Sequence, residues 1–462
     1  RQAFASWAAR QRQALDDGAA RDLARQFARE YRDLEIGYNA LDAEIRSKSP
    51  RYAALAKPRP LTLAQVQQSI LDPDTMLLAF ALGEARSYLW AVSKDRYSVH
   101  ELPPGAEIGQ VAQQVYARAT ARLALTGTPA ERKQMAEEND FLFGEQAAHL
   151  SDVLFGPVAG DLAGKRLVVV ADGPLQYVPF AALPEPGRAA AALPLIEGHE
   201  VVSLPSASAL AVMRREAAGR AMPPGSVAVL GDPVFERDDP RLRAVLRALG
   251  QPAGPASAAA RPPAGTSLRL ARLAATRLEA RAIVEAAGPE RSLVRLGFDA
   301  SRDTAMSPEL DRYRVVHFAT HGVLDNDNPG MSGIMLSLFD GRGRPQDGFL
   351  RLHDIYGMSL PAELVVLSAC STALGRQVDG EGLVGVVRGF MYAGAKRVVA
   401  SLWKVDDEAT GELMRRFYEG MFRKGLSPAA ALREAQTGLR RQPRWQAPFY
   451  WAAFSLQGEW RP

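Results

Sequence analysis

The sequence predicts an α/β protein whose mainly parallel sheet is flanked by helices. Short apolar segments at residues 167–171 and 364–369 carry no charged side chain, which is typical of parallel strands buried on both faces. From residue 225 onward, such segments alternate with segments of helical length, the pattern of strands joined by crossover helices. Turn-forming residues follow several of these strands, as at Gly231-Asp-Pro233.

The composition is that of a globular protein. The 462 residues favour two or three domains, and 47% apolar with 23% charged residues excludes a largely disordered or fibrous chain. No run approaches the roughly 18 apolar residues that a membrane span needs, so we expect no membrane partner. Arg1 stands where an initiator Met is usual, which suggests an excised or processed fragment.

The chain contains a single cysteine, Cys370. One thiol excludes a disulfide within the chain and any cysteine-cluster zinc or iron–sulfur site. We therefore expect no metal, and the cysteine usage predicts a reducing compartment, the cytoplasm.

The charge pattern does not favour nucleic acid as the main partner. The formal net charge is only +4, and the 56 basic residues are scattered among 52 acidic ones. The cluster of Arg440, Arg441 and Arg444 could attract phosphates, which supply most non-specific affinity, but the chain has no long basic run.

Residues 1–60 are predicted to form a helical segment. Apolar residues recur there at steps of four and three, which places them on one stripe of a helix, and Pro50 ends the pattern. The stripe indicates either a helix packed on its own chain or the stub of a longer helical array. It comprises Phe27, Tyr31, Leu34, Tyr38, Leu41 and Ile45.

Residues 61–215 are predicted to form a first α/β unit. Strands at 75–82 and 87–93 surround a turn at Gly83, residues 106–151 have helical character, and residues 167–171 form a buried strand.

Residues 225–462 are predicted to form a second α/β unit. Its stretch 250–265 is rich in Pro, Gly and Ala and has no periodicity, so we expect an exposed flexible loop. The other predicted elements are strands at 227–230, 292–296, 314–320, 364–369, 397–403 and 450–456, and helices at 269–287, 301–312, 381–394, 407–423 and 427–441.

Two strand ends in this second unit carry residues that can do chemistry. The strand at 314–320 leads directly into His321 and Gly322, and the strand at 364–369 leads into Cys370. If these strands are neighbours, about 4.8 Å apart, an imidazole and a thiol lie together at the carboxyl ends of the strands. Open parallel sheets usually carry their functional residues at these ends. A histidine can deprotonate a cysteine nucleophile, and the backbone N–H groups of Gly322 and Cys370 could hold an oxyanion.

Structural explanations of the same residues stay open. A free cysteine at the end of an apolar strand is usually a small buried hydrophobe, and a lone histidine is usually structural. His317 and His321 share a strand face, so a metal pair is conceivable, but no third ligand stands at a suggestive spacing.

Several segments resemble the motifs of CHAT domains, which are caspase-like cysteine peptidases related to separase. They cover about residues 60–460 in order. The resemblance implies a caspase-like fold for the second unit, a degenerate, non-catalytic first unit, and a histidine–cysteine dyad at His321 and Cys370. The matching segments are His317-Phe-Ala-Thr-His-Gly322, Leu364-Val-Val-Leu-Ser-Ala-Cys-Ser-Thr-Ala-Leu-Gly375, Gly380-Glu-Gly-Leu383, Ala400-Ser-Leu-Trp-Lys-Val-Asp406 and Ala447-Pro-Phe-Tyr-Trp-Ala-Ala-Phe454, with Asp172-Gly-Pro-Leu-Gln-Tyr-Val-Pro-Phe180 and Leu204-Pro-Ser-Ala-Ser208 upstream.

The same resemblance implies a setting. CHAT domains are often attached to tetratricopeptide repeats, so the helical segment at 1–60 could be the stub of a truncated repeat array. A role in bacterial defence or programmed cell death is what the family suggests.

Acidic residues near the predicted site could form a specificity pocket for a basic side chain, because carboxylates pair well with Arg or Lys. A cap on the helix starting near residue 407 is the structural alternative for Asp406, and a hydrophobic preference is the alternative specificity. The candidate substrate-binding residues are Asp379, Glu381, Trp403, Asp406 and Asp407.

The sequence thus predicts a cysteine endopeptidase that needs no cofactor and acts on a protein substrate. Cys–His chemistry does not require a carboxylate as a third catalytic group, since a backbone carbonyl can hold the imidazole. An unrestrained cytoplasmic protease is hazardous, so we expect an activating or regulatory protein partner acting through the helical segment or the first α/β unit. The alternative is a non-catalytic scaffold or sensing module with the same fold.

Overall fold

The computed structural model describes residues 58–187, 193–250, 270–325, 332–368, 370–374 and 382–461. The chain divides between Arg59 and Pro60, so the described residues belong almost entirely to the second of its two units. Most of the sequence-predicted helical segment 1–60 and of the loop 250–265 lies outside them, as do the candidate pocket residues Asp379 and Glu381.

The described residues contain two β-sheets. The strands are β1 Thr75–Ala81, β2 Ser87–Val92, β3 Tyr97–Leu102, β4 Arg166–Val170, β5 Val201–Ser203, β6 Gly225–Gly231, β7 Ser292–Leu296, β8 Tyr313–Ala319, β9 His321–Asp325, β10 Gly333–Met335, β11 Phe349–Arg351, β12 Leu364–Leu367, β13 Cys370–Leu374, β14 Arg397–Ser401 and β15 Phe454–Gly458.

The larger sheet is mainly parallel and has eleven strands in the order β3-β2-β1-β4-β5-β15-β14-β12-β8-β6-β7. Antiparallel pairs occur only where β2 meets β1 and β3 and where β15 meets β14. Its central strands are apolar and buried on both faces, as their sequences predict. The predicted fold class, a mainly parallel sheet flanked by helices, is confirmed.

Helices flank this sheet. They are α1 Leu63–Gln65, α2 Gly105–Thr120, α3 Pro129–Phe155, α4 Leu195–Gly198, α5 Ala207–Ala217, α6 Pro240–Ala248, α7 Thr276–Ala287, α8 Arg302–Ala305, α9 Leu352–Gly357, α10 Gly382–Ala393, α11 Asp407–Phe422, α12 Pro428–Arg440 and α13 Pro448–Trp451. Among the residues that the structure covers, no helix is both long and apolar enough to cross a membrane.

A smaller sheet extends the larger one at the carboxyl ends of two central strands. Its order is β11-β10-β9-β13. β9 begins one residue after β8 ends, and β13 begins shortly after β12 ends. Because β8 and β12 are parallel neighbours, their continuations β9 and β13 are parallel neighbours too.

The two predicted α/β units contribute strands to one sheet. Strand β15, close to the C-terminus, lies between β5 and β14, with Val202 paired to Leu456. The contact is reinforced by the guanidinium of Arg440, which binds Glu197 at 2.9 Å, and by the Tyr116 hydroxyl, which donates to a main-chain carbonyl of the other unit. The division at 61–215 and 225–462 stays a prediction about domain organisation.

Four predicted elements differ most from the structure. The helix predicted at 301–312 is the short helix α8 followed by a separate 3₁₀ helix at Pro308–Arg312. The helix predicted at 269–287 begins only at Thr276, so residues 270–273 are irregular. The helical stretch 106–151 is two helices separated by a turn at Gly127, whose φ of 99° is left-handed. The last strand lies at Phe454–Gly458, since the segment before it forms α13.

We expect Leu456→Ala to destabilise the whole sheet, because this fully buried side chain lies on the strand that joins the two units. The free energy of unfolding should fall by about 2–5 kcal/mol, the usual cost of a Leu-to-Ala cavity. Urea unfolding monitored by circular dichroism measures this change. The control Leu278→Ala, at a position 65% exposed, should cost no more than about 0.5 kcal/mol. Equal losses in the two variants would contradict this account of the joining strand.

Candidate active site

The site lies where β8 and β12 end. Val315 pairs with Leu364 and Phe318 with Leu367, so the two strands run side by side and finish at the same edge. In the smaller sheet the Cα partner of Cys370 is His321. Paired positions in neighbouring strands lie about 4.8 Å apart. The fold therefore brings the backbones of the two predicted dyad residues together.

The imidazole of His321 is buried and held by one backbone carbonyl. Only 6% of the residue is exposed, and Nε2 lies 2.7 Å from the carbonyl oxygen of Ala271. A carbonyl can only accept a hydrogen bond, so Nε2 carries the proton and the lone pair of a neutral ring is at Nδ1. Nδ1 is buried and has no hydrogen-bond partner among the described residues. The ring centroid of Phe235 lies 5.2 Å away and packs against the imidazole.

The surroundings favour the neutral form of His321. Burial lowers the pKa of the imidazole below its ordinary value, because the charged form loses hydration, and the positive charge of Lys404 lowers it further. The hydrogen bond to Ala271 and the charge of Asp407 act in the opposite direction but do not offset the burial. A neutral imidazole with an unpaired Nδ1 can accept a proton.

The sequence marks no third residue that would hold the imidazole of His321, and in the structure a backbone carbonyl holds it. Ala271 lies in the irregular segment 270–273, where a helix is predicted from sequence. No residue type marks such a carbonyl, since every residue has one. Because the helix begins only at Thr276, the Ala271 carbonyl is not used inside a helix and can bind His321.

Two of the predicted pocket residues have structural roles. Trp403 is only 1% exposed, its indole N–H donates to the Phe449 carbonyl, and it therefore presents no surface to a substrate in this structure. Asp406 is the N-cap of α11, where one carboxylate oxygen accepts hydrogen bonds from two backbone N–H groups. This is the alternative that the sequence offers for Asp406.

Asp407 is the predicted pocket acid whose charge acts on the imidazole. It is exposed on one side, while the protein on its other side desolvates the carboxyl and so raises its pKa. The negative charges of Asp406 and Glu279 raise the pKa further, whereas Lys404 and His321 lower it. Asp407 and His321 thus influence each other electrostatically at the same edge of the sheet.

Gly322 lies inside the smaller sheet. It is the register partner of Ser371 on one side and of Ile334 on the other. Its backbone is therefore fixed by two neighbouring strands directly beside the His321 position, and its part in an oxyanion hole stays a prediction.

The possible metal pair of His317 and His321 does not form. His317 is completely buried, with Nδ1 2.9 Å from the Tyr418 hydroxyl and Nε2 3.1 Å from a carboxylate oxygen of Glu279. His321 is bound to Ala271 instead. No group of three or more potential ligating side chains occurs in the described part of the chain.

Comparison with known proteins agrees with this architecture. A model of the CHAT domain matches residues 144–459, more than two thirds of the chain. Tetratricopeptide repeat protein 28 of Mus musculus is 36% identical over 105 residues, and that of Homo sapiens is 34% identical over 113 residues. These matches cover 23% and 24% of this chain but only 4% of each relative.

The fold is similar to that of separase. Two crystal structures of the Saccharomyces cerevisiae separase–securin complex superpose with TM-scores of 0.53 and 0.51, at 10% and 11% identity. Each superposition covers 86% of this chain and 30% or 31% of the other. At this identity the likeness concerns the fold alone.

We expect burial of His321 to make stability depend on pH. Its pKa in the folded state lies below the unfolded value of 6.5, so the unfolded state binds more protons as the pH falls through that value, and stability is lost. His321→Gln removes this contribution. Urea unfolding at about pH 7.5 and about pH 5.5 should therefore show a smaller acid-induced loss in the variant than in the unmodified protein. His149→Gln, at an exposed histidine on α3, should leave the loss unchanged, and the same loss in all three proteins would contradict the assignment.

Proposed function

The chain belongs to the CHAT domain family, and we propose that it is a cysteine endopeptidase in which Cys370 is the nucleophile and His321 the general base. The observation that carries the proposal is the register of β9 and β13, which pairs these two residues, together with a buried imidazole whose Nδ1 has no hydrogen-bond partner among the described side chains. Family membership and the separase-like fold support the protease class.

The proposed reaction begins with proton transfer. The thiol of Cys370 gives its proton to Nδ1 of His321, and the thiolate attacks the carbonyl carbon of the scissile peptide bond. The backbone N–H groups of Cys370 and Gly322 hold the resulting oxyanion. His321 then protonates the leaving amine as the C–N bond breaks. Water, deprotonated by His321, hydrolyses the thioester and releases the acid product and the free thiol.

The residues around His321 suit both halves of this cycle. Burial keeps the imidazole neutral before the reaction, so it is ready to take the proton. Once protonated, the ring keeps its Nε2–H bond to Ala271 and gains from the negative charge of Asp407. The chemistry uses side chains and backbone groups of this chain and requires no metal or organic cofactor.

The substrate is proposed to be a protein, and a second protein is proposed to control access to it in the cytoplasm. The Saccharomyces cerevisiae separase forms a complex with securin, which supports a protein partner for this chain. The rival function is a scaffold or sensing module that keeps the fold and cleaves nothing. The register that pairs His321 with Cys370 favours the enzyme, because a scaffold has no need to bring an imidazole and a thiol to one position.

A thiol-reactive peptidyl probe tests the dyad, since the single cysteine means that all labelling reports on Cys370. At neutral pH we expect His321→Ala to slow labelling by about tenfold or more, because the thiol then loses the base that ionises it. Mass spectrometry of the intact chain measures the rate. His353→Ala, a matched change at an exposed histidine, should label at the unmodified rate.

If the His321→Ala variant is labelled as fast as the unmodified protein, the assignment of the dyad is wrong. Cleavage of a candidate substrate should likewise stop in both Cys370→Ala and His321→Ala. Rapid labelling without any cleavage of peptide libraries would favour the scaffold alternative.

We propose that the site prefers a basic residue before the scissile bond, with Asp407 as the acid that receives it. Among the candidate acids in described parts of the chain, Asp407 is exposed, acts electrostatically on His321 and does not cap a helix. Asp379 and Glu381 stay candidates from sequence, and a hydrophobic preference is the alternative.

Asp407→Asn should lower kcat/KM for peptides with Arg or Lys before the cleaved bond by about tenfold, the loss of one charge-assisted contact of about 1.5 kcal/mol. The matched control is Glu408→Gln, the neighbouring acid, whose partner is Arg444 and which should leave kcat/KM unchanged. A fluorogenic peptide library measures both. Cleavage after Leu or Met, with none after Arg or Lys, would show the preference to be wrong.

A further inference from the structure

A fully buried carboxylate, Asp232, lies directly after β6. It is 0% exposed, and its φ of 45° makes it the one described residue other than glycine in the left-handed region. Side chains rarely adopt this conformation, and it persists where surrounding interactions hold it. An ionised carboxylate out of water also requires compensating partners. Both features indicate a residue kept in place by strong contacts.

Those contacts come chiefly from Arg272, whose guanidinium donates two parallel hydrogen bonds to the Asp232 carboxylate. Nε lies 2.8 Å from Oδ1 and Nη2 lies 3.0 Å from Oδ2. The bond to Asp232 raises the pKa of Arg272, so the guanidinium stays charged. Such a fork fixes orientation as well as distance.

Other residues hold the carboxylate from different sides. Arg277 binds Oδ2 at 3.0 Å and Arg241 binds it at 2.9 Å. The backbone N–H of Asp232 donates to the Thr276 hydroxyl at 2.9 Å. Asp232 therefore connects the end of β6 to the start of α7 and to the irregular segment before it.

That irregular segment, residues 270–273, is the one that holds His321. Leu270 and Leu273 are buried, and Leu270 belongs to the apolar cluster that includes Phe235, the ring packed against the imidazole. Arg272 points to Asp232, and Ala271 presents its carbonyl to Nε2 of His321. Two apolar anchors and one ionic anchor thus fix a segment that has no helix or strand hydrogen bonds of its own.

We propose that Asp232 and Arg272 are positioning residues that hold the Ala271 carbonyl against His321 and thereby fix the tautomer of the catalytic imidazole. The pair acts through the backbone, because Arg272 and Ala271 are adjacent and the fork restrains the peptide unit between them. This inference rests on the proposed function for its catalytic meaning, whereas the structural link from Asp232 to the imidazole is independent of it.

The experiment compares Arg272→Gln with Arg214→Gln. Arg214 donates a similar pair of hydrogen bonds to the buried carboxylate of Glu459. This residue follows β15, at the opposite end of the strands from His321. Both changes remove a two-pronged ion pair and should lower Tm. Only the change at Arg272 should disturb His321. Asp232→Asn, which keeps the shape and tolerates the left-handed conformation, tests the other half of the pair and serves if Arg272→Gln folds poorly.

The first readout is nitrogen-15 NMR of the full chain with labelled histidine, with the His321 signals assigned by their loss in His321→Gln. We expect a dominant Nε2–H tautomer in the unmodified protein and in Arg214→Gln, and a mixture of tautomers in Arg272→Gln and Asp232→Asn. The second readout is the pH dependence of Cys370 alkylation by iodoacetamide. At about pH 6.5 the rate should fall by about tenfold in the Arg272 and Asp232 variants, because a misplaced imidazole no longer takes the proton of the thiol.

The two proposals fail in different ways. If His321→Ala leaves the alkylation profile unchanged, the dyad is wrong, whatever the tautomer does. If His321→Ala shifts the profile but Arg272→Gln and Asp232→Asn change neither the profile nor the tautomer, the dyad stands and the positioning role is overturned. An equal effect of Arg214→Gln on the tautomer would also overturn it, because the effect would then be general destabilisation.

Discussion

The parallel pairing of β8 with β12 is the constraint on which the candidate site depends. Parallel neighbours in register end together, so whatever follows them is brought to one edge of the sheet. Here both strands continue into the smaller sheet. The pairing of β9 with β13 keeps the same register as that of β8 with β12. His321 and Cys370 become Cα partners as a result. A shift of one residue in either strand would move one partner to the opposite face and separate the pair.

Around this pairing, the protein controls the histidine by burial and by a single fixed hydrogen bond. Burial disfavours the imidazolium, and the Ala271 carbonyl decides which nitrogen carries the proton. Neither effect requires a carboxylate within reach of the ring. The acid nearest in influence, Asp407, stays partly in water, where it can interact with His321 and with a ligand. The site thus combines a buried, apolar side around Phe235 with a charged rim formed by Lys404 and Asp407.

The strands of the second predicted unit are placed well from the sequence, because each is a short apolar run between turn residues. The strand predicted at 292–296 has the same bounds as β7, and the end of β8 is predicted within one residue. The capping alternative for Asp406 is confirmed. What sequence could not reveal depends on tertiary contacts. The helix predicted at 269–287 includes residues 270–273, but the paired hydrogen bonds between Arg272 and Asp232 hold that segment in an irregular path. Trp403 follows a strand end, yet burial alone decides that it is core.

The position of β15 has a consequence for how the protein is made. This strand lies close to the C-terminus, yet it occupies the middle of the larger sheet between β5 and β14. Until residue 458 has left the ribosome, those two strands have open edges, and the halves of the sheet are joined only by the chain that connects them. The sheet that supports His321 and Cys370 is therefore complete only after residue 458 has been made, 88 residues after Cys370. A nascent chain of this kind carries its candidate nucleophile for many seconds before its scaffold closes, and the order of strands alone delays the assembly of the site.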